Sequence, residues 1–594
     1  MPEESNNAAG EVVLVGIGVS PGIARGPVSL TTALFDRPEP EPVPADQVSA
    51  ELLRFRRGVA ETRRQLEELR DRVAVAAGTS DAFIFDAHVL MLEDPALTGG
   101  VESLIKREPQ RAEGAFWQVM SRYMDAMGRL DDDYMRERVG DLEDIARRVV
   151  RVLRGDAMSM GVDLSVGMDR PHILLAHEIT PSETAAMDRT RVLGFASETG
   201  SHTSHSTIMA RSMAIPAVVG LSQIAEQADN GQEALLDGYK GLLILNPSAD
   251  TLAEYEGVQR RKAALDRHLH EMIDLPAETP DGQRMILSAN IEFADELGAL
   301  TRHGAEGVGL YRTEFFYLNR PDLPGEDEQA ANYARVAAAS GPQGVIIRTL
   351  DIGGDKLHHL HNGLEESNPF LGWRGIRVSL TRRGVFKTQL RAILRASAAG
   401  KVRVLFPMVS CLEEVREARA VMEECREELR REGREFDPKM ETGVMIEVPG
   451  AAMIADVLAP EVDFFSVGTN DLIQYTLAVD RGNELVANLY QPCHPGILRL
   501  LKNVTEAARH AGIWTGVCGE MAGDVMLAPL MVGLGFEELS MAAVQLPQVK
   551  FAIRRLPAAR CRILLNQALA CGDAARISEM CCAAAVEYYP ELVA

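Results

Sequence analysis

Apolar positions recur at three-and-four spacing from residue 46 to residue 155. Leu52, Phe55, Val59, Leu66, Leu69 and Val73 mark one face of a helix that follows the Pro-rich stretch PEPEPVP, with Asp46 as the expected cap. The same period continues through AFIFDAHVLMLEDPAL, AFWQVMSRYMDAM and DLEDIARRVVRVLRG, which predicts a bundle of helices. On either side the pattern is that of strands. VVLVGIGVSPGIARGPVSL (12–30) precedes the bundle, and HILLAHEI, RVLGFAS and GLLILNP follow it, so a mixed α/β domain is interrupted by the helical insertion. Residues 251–273 hold strong helix formers and read as a connecting helix before the turn-rich LPAETPDGQ.

Beyond residue 280 the period changes again. Eight short apolar runs alternate with helical stretches: MILSANI, GVGLYRTEF, VIIRTLDIGG, VRVLFPMV, TGVMIEVP, DFFSVGTNDL, WTGVCGEM and FEELSMA. That alternation predicts a (β/α)8 TIM-type barrel, whose chemistry sits at the C-terminal strand ends. An open doubly wound sheet is the competing arrangement. The runs end in reactive or ion-binding side chains: Arg312, Arg348 with Asp351, Glu447, Asn470 with Asp471, and Cys518. Together with Arg374 in LGWRGIR, the arginines form an expected cationic cup, because guanidinium forks match phosphate and carboxylate. Glu447 and Asp471 are hard oxygen donors suited to Mg2+, or else partners of the arginines. Lys356 in DIGGDK adds a further charge. Cys518, between Val517 and Gly519, is placed to act as a general acid, although most free cysteines are inert core residues.

Length and charge narrow the function. At 594 residues the chain is too long for one core, and about 150 residues per domain suggests roughly three or four units. A formal charge of -24 argues against a non-specific nucleic-acid binder. With no apolar run of spanning length and a polar, acidic start, neither membrane insertion nor export is expected, and the cytoplasm is the default location. The eight cysteines lie between Cys411 and Cys582 without a CxxC pair, so neither a disulfide framework nor a structural zinc site is expected.

One loop in the first half stands apart. Gly200-Ser201-His202-Thr203-Ser204-His205 places an imidazole directly after two hydroxyl residues, ahead of the helix-forming Ile208-Met209-Ala210-Arg211. His205 is a candidate nucleophile. Taken alone, the segment reads equally as a polar surface loop that holds two histidines.

TSHSTIMARS, GVGLYRTEF, RTLDIGGDK, NPFLGWRGIR, SVGTNDLIQYTLAVDRGN and TGVCGEMAGD, in this order, resemble enzyme I of the bacterial phosphoenolpyruvate-dependent sugar phosphotransferase system, with ITPSET and VGIGVSPGIARG in further agreement. The resemblance implies that phosphoenolpyruvate binds in the barrel with Mg2+, phosphorylates His205 and leaves as pyruvate. The phosphoryl group then passes to an HPr-like carrier, and the enzyme is a homodimer through its barrel. It further implies substrate binding by Arg312, Arg348, Arg374, Asn470, Asp471 and Arg481, metal ligation by Glu447 and Asp471, and protonation of the enolate by Cys518. The implied organisation is 1–45 with 156–250 as the phosphohistidine domain, 46–155 as the HPr-binding subdomain, 251–276 as linker and hinge, and 277–594 as barrel. Pyruvate phosphate dikinase and phosphoenolpyruvate synthase share the plan, but both need an ATP-binding domain for which this chain has no room. The chain departs from the family pattern at Ser201 and His202, which place a second imidazole three positions before His205, and at Val448, where Thr is frequent.

Overall fold

The computed structural model describes residues 10–31, 37–76, 79–129, 133–155, 170–200, 205–222, 224–317, 322–353, 366, 368–481, 483 and 485–593. The chain divides into two units, Met1–Arg260 and Arg261–Ala594.

The first unit is built on an eight-stranded mixed sheet. Its middle strands, Ile23–Thr31, His172–Ala176, Val192–Ser197 and Ala217–Val219, run parallel to one another. The outer strands Val12–Val15, Leu242–Leu245 and Glu233–Asp237 continue antiparallel on one side, and Ile17–Ser20 on the other. His172–Ala176 is buried along its whole length because both faces are covered. The period-two alternation divides those faces. Leu174, Phe195 and Val219 join the core shared with Phe55, Leu66, Phe116 and Val149 of the helices, whereas Ile173, Leu175 and Val218 join Val28, Leu236 and Leu243.

Helices Val48–Ala76, Thr79–Leu92, Pro95–Arg107, Ala112–Gly128 and Asp133–Arg154 fill the segment in which the sequence shows a helical period. Asp46 does not cap the first of them. It lies inside a 3-10 turn, Ala45–Gln47, because Pro44 already sets the entry of the chain. The run AFIFDAHVLMLEDPAL is two helices rather than one. Pro95 cannot continue the ladder, and the Asp94 side chain accepts from Ala96 N at 2.8 Å to start the next helix. Strands Ala217–Val219 and Glu233–Asp237 are absent from the sequence reading, the first because three residues carry no readable period.

Helix Ala249–Glu271 crosses the division between the units. Near its start, Tyr255 donates its hydroxyl proton to Asp237 Oδ2 at 3.0 Å, within the first unit. Near its end, Leu269 joins the core of the second.

The second unit is a closed barrel of eight parallel strands: Arg284–Ile291, Val308–Arg312, Val345–Arg348, Val402–Phe406, Thr442–Ile446, Phe464–Val467, Trp514–Val517 and Glu538–Met541. Pairing of Arg284–Ile291 with both Val308–Arg312 and Glu538–Met541 closes the ring, which excludes the open sheet. All eight apolar runs of the sequence supply one strand each. Outward residues such as Val345, Ile347, Val404 and Phe406 pack under the helices, while Leu310, Ile346, Leu405, Met445 and Phe464 fill the lumen. Toward the strand starts the lumen is plugged. Trp514 stacks on Phe464 with ring centroids 4.4 Å apart, and the Arg403 guanidinium lies over the Trp514 ring at 5.2 Å.

Candidate functional site

Strand parity builds the site. Leu310, Ile346 and Met445 face the lumen, so the residues two positions later in chain order, Arg312, Arg348 and Glu447, face the same way one layer nearer the C-terminal end. The strand Phe464–Val467 repeats the logic with Phe464, Ser466 and Gly468, and Trp514–Val517 with Gly516 and Cys518. Asn470 and Asp471 open the helix Thr469–Leu477, and Arg374 precedes the helix Ile376–Thr381. A cavity of about 360 Å³ lies at this end of the barrel. Arg312, Arg348, Arg374, Glu447, Asn470, Asp471, Arg481 and Cys518 all line it.

Each arginine of the cup is held by an acid. Arg374 grips Asp351 with two nitrogens, Nε to Oδ1 at 3.2 Å and Nη2 to Oδ2 at 2.9 Å, and reaches Asp471 Oδ2 at 3.2 Å and the Tyr475 hydroxyl at 3.0 Å. Arg348 pairs with Glu314 at 2.8 Å and with Asp351 at 3.2 Å. Arg312 donates to Glu292 at 2.9 Å, and Arg481 to Glu520 at 3.1 Å. Burial alone would raise the Asp351 carboxyl, but the Arg348 and Arg374 guanidiniums outweigh it and hold that group below the usual carboxylate range. Arg348 Nε is buried without a hydrogen-bond partner.

Glu447 is only 2% exposed, and one of its oxygens accepts from Met408 N at 2.6 Å. Burial, reinforced by the Asp351 and Asp471 carboxylates, pushes its carboxyl up to about 8. Carboxylates gathered in this way favour a cation among them. Gly468 keeps the space beside Glu447 open, since a Cβ there would lie 2.9 Å from Oε2. No group of three His, Cys, Asp or Glu side chains among the described residues is arranged to hold a metal. Glu447 and Asp471, two carboxylates lining the same cavity, have the hard oxygen donors that suit a divalent ion such as Mg2+. Cys518 is equally enclosed. Its thiol accepts from Ser466 Oγ at 3.2 Å, and burial pushes it up to about 11, so it carries its proton at neutral pH.

Among the described residues, the structure thus gathers Arg312, Arg348, Asp351, Arg374, Glu447, Asn470, Asp471, Arg481 and Cys518 into one cavity. His205 belongs to the first unit, where it is the first residue of the helix His205–Ser212. Ser201, His202, Thr203, Ser204 and Lys356 lie outside the described residues.

Family models described as "PEP-utilising enzyme, N-terminal", "PEP-utilising enzyme, mobile domain" and "PEP-utilising enzyme, PEP-binding domain" match residues 15–138, 168–241 and 266–558. A phosphoenolpyruvate-protein phosphotransferase of Haemophilus influenzae is 41% identical over 568 residues, 96% of this chain and 98% of the relative. The chain belongs to the phosphoenolpyruvate-protein phosphotransferase family. A Staphylococcus aureus protein of that name is 40% identical over 573 residues, again 96% of this chain and 98% of its own. An NMR structure of Enzyme I matches 42% of this chain and 98% of its own at 34% identity, with a TM-score of 0.35.

Within this phosphotransferase-family site, sequence reasoning named Asp351 and Asp471 but left out three other acids that hold the arginines, Glu292, Glu314 and Glu520. Glu314 and Glu520 stand two residues after Arg312 and Cys518 inside runs already recognised as strand ends, which is the one local signal they carry. Glu292 and Tyr475 are joined to the site only by tertiary contact.

Proposed function

We propose that the chain transfers the phosphoryl group of phosphoenolpyruvate to His205 and then to a histidine of an HPr-like carrier, releasing pyruvate. The observation that carries this reading is the single 360 Å³ cavity in which the four arginines, Asn470, two hard oxygen donors and a protonated thiol converge. Arg312, Arg348, Arg374 and Arg481 neutralise the substrate's carboxylate and phosphate, and Asn470 donates to a phosphoryl oxygen. Glu447 and Asp471 would hold Mg2+, which when bound neutralises charge on the transferring phosphoryl group. As the bond from phosphorus to the enol oxygen breaks, the electron pair moves onto the enolate, and Cys518 gives its proton to the enolate carbon to form pyruvate. His205 accepts the phosphoryl group on a ring nitrogen. As the first residue of a helix it lies at the end where free backbone N–H groups favour an anion.

The proposed organisation follows the expected one: residues 1–45 and 156–250 carry the histidine, 46–155 dock the carrier, and 251–276 join them to the barrel of 277–594. That barrel forms the homodimer. None of the described helices is long and apolar enough to cross a membrane. The proposed location is the cytoplasm.

Incubation with labelled phosphoenolpyruvate and Mg2+ tests the proposal. An acid-labile, base-stable label that His205→Ala abolishes and His202→Ala leaves in place is the expected result. Label surviving in the His205→Ala protein would overturn the assignment, and no label on the unaltered protein would sink the enzyme reading.

A further inference from the structure

Among the acid partners of the cup, Glu520 differs from the rest. Asp351 and Glu314 are buried behind their arginines, whereas the Glu520 side chain is 75% exposed and its partner Arg481 46% exposed. Its bonding is also unlike that of a simple ion pair. Glu520 Oε1 accepts from Asn470 Nδ2 at 3.0 Å and from Arg481 Nη1 at 3.1 Å, while the Glu520 backbone N–H donates to Asn470 Oδ1 at 2.8 Å. One residue therefore engages both ends of the Asn470 amide and one arm of the Arg481 fork. The opposite amide flip would face donor with donor and acceptor with acceptor, so Glu520 decides which way Asn470 presents its second N–H.

The backbone before Glu520 is shaped for this contact. A Cβ at Gly519 would meet the Thr469 backbone nitrogen at 2.8 Å and Asn470 Oδ1 at 3.0 Å, an approach that only glycine permits. Asn470 and Arg481 are eleven positions apart in sequence, on a helix start and in the loop beyond the helix Thr469–Leu477. Within the described residues, Glu520 is the side chain bonded to both.

We infer that Glu520 is a positioning residue that locks Asn470 and Arg481 into one preorganised anion-binding unit on the open side of the cavity. This rests on the phosphoenolpyruvate reading above for the identity of the anion. Ordering a long, half-exposed arginine before the substrate arrives removes part of the entropy cost from binding. The expected effect therefore falls on substrate capture more than on the chemical step.

Glu520→Ala and Glu520→Gln in the full-length protein separate orientation from charge, because the glutamine carbonyl still accepts from Asn470 and Arg481. Phosphoenolpyruvate kinetics and calorimetric binding of inorganic phosphate are the two readouts. Glu520→Ala is expected to raise KM about tenfold with kcat within about threefold and to weaken phosphate binding comparably. Glu520→Gln is expected to recover most of both losses. Unchanged KM and phosphate affinity in Glu520→Ala, a loss confined to kcat, or a glutamine variant no better than alanine would overturn the inference. If the unaltered protein does not turn over phosphoenolpyruvate but phosphate affinity still falls in Glu520→Ala and returns in Glu520→Gln, the positioning role stands and the phosphoenolpyruvate reading fails. Absence of phosphate binding by the unaltered protein would count against the positioning role itself.

Discussion

Asp351 shows how a single carboxylate ties together two of the four arginines of the cup. It is buried, bonded through both oxygens to Arg374 and paired with Arg348. Removing its charge leaves two buried guanidiniums short of a partner, and such a loss costs about 3 kcal/mol or more. Asp351→Asn is therefore expected to lower the urea midpoint and to weaken phosphoenolpyruvate binding together, whereas an unchanged midpoint would refute a structural part for it. Cys518 makes a different prediction. Its buried thiol, pushed up to about 11, stays protonated through the neutral range, so iodoacetamide is expected to label the partly exposed thiols of Cys411, Cys571 and Cys582 long before this one. As the proposed proton donor, Cys518→Ala is expected to reduce kcat by about a hundredfold or more, read as pyruvate formation. Arg312, Arg348, Glu447 and Cys518 were legible in the sequence because each ends an apolar run, whereas Arg374 and Arg481 were marked by the segments LGWRGIR and SVGTNDLIQYTLAVDRGN that carry the family resemblance. Their acid partners were less so, since pairing with an arginine leaves no periodic trace.

Helix and strand ends show what an element contributes beyond its own period. Asp281 lies in the turn-rich segment LPAETPDGQ, yet its carboxylate accepts from Ala558 N at 2.8 Å and Ala559 N at 2.9 Å at the start of the helix Ala558–Ala570, some 277 positions away. The Thr279 hydroxyl and these two N–H groups hold its carboxyl down to about 2. Because the folded value is below the unfolded one, this contribution to stability is complete above about pH 4 and is lost as pH falls toward 2. Asp281→Ala is expected to cost about 1 kcal/mol in urea unfolding near neutrality, as other lost helix caps do, and to narrow the difference from the unaltered protein at pH 3. The failure of Asp46 as a cap has the opposite lesson. A residue type favoured at helix starts is overridden when Pro44, two positions earlier, has already fixed the entry of the chain.

The two units divide the proposed reaction between them. His205 belongs to the first and the substrate cavity to the second, so the chain is expected to bind phosphoenolpyruvate without its nucleophile. In calorimetry, His205→Ala is expected to keep the dissociation constant for phosphoenolpyruvate within about twofold while taking no label. A loss of binding above tenfold would place His205 in the substrate site of the resting protein and contradict the division of labour. Arg374→Ala is expected to lose both, because its guanidinium touches Asp351, Asp471 and Tyr475 at the heart of the cavity.

Periodicity is a local property, and here it was enough to locate the elements, while ring closure decided the barrel against the open sheet. Eight short apolar runs between helical stretches marked the barrel strands, three-and-four spacing marked the helical segment, and reactive residues at the ends of five of those runs marked the face where the cavity lies. Long-range pairing had no such signature. Closure of the ring by Arg284–Ile291 with Glu538–Met541, the grip of Asp351 on two arginines, the cap that Asp281 supplies to a distant helix and the bridge of Glu520 between Asn470 and Arg481 all join residues whose separation in sequence carries no period. They exist because burial leaves charged and hydrogen-bonding groups that must find partners in space, and the folded chain alone sets which partners are near.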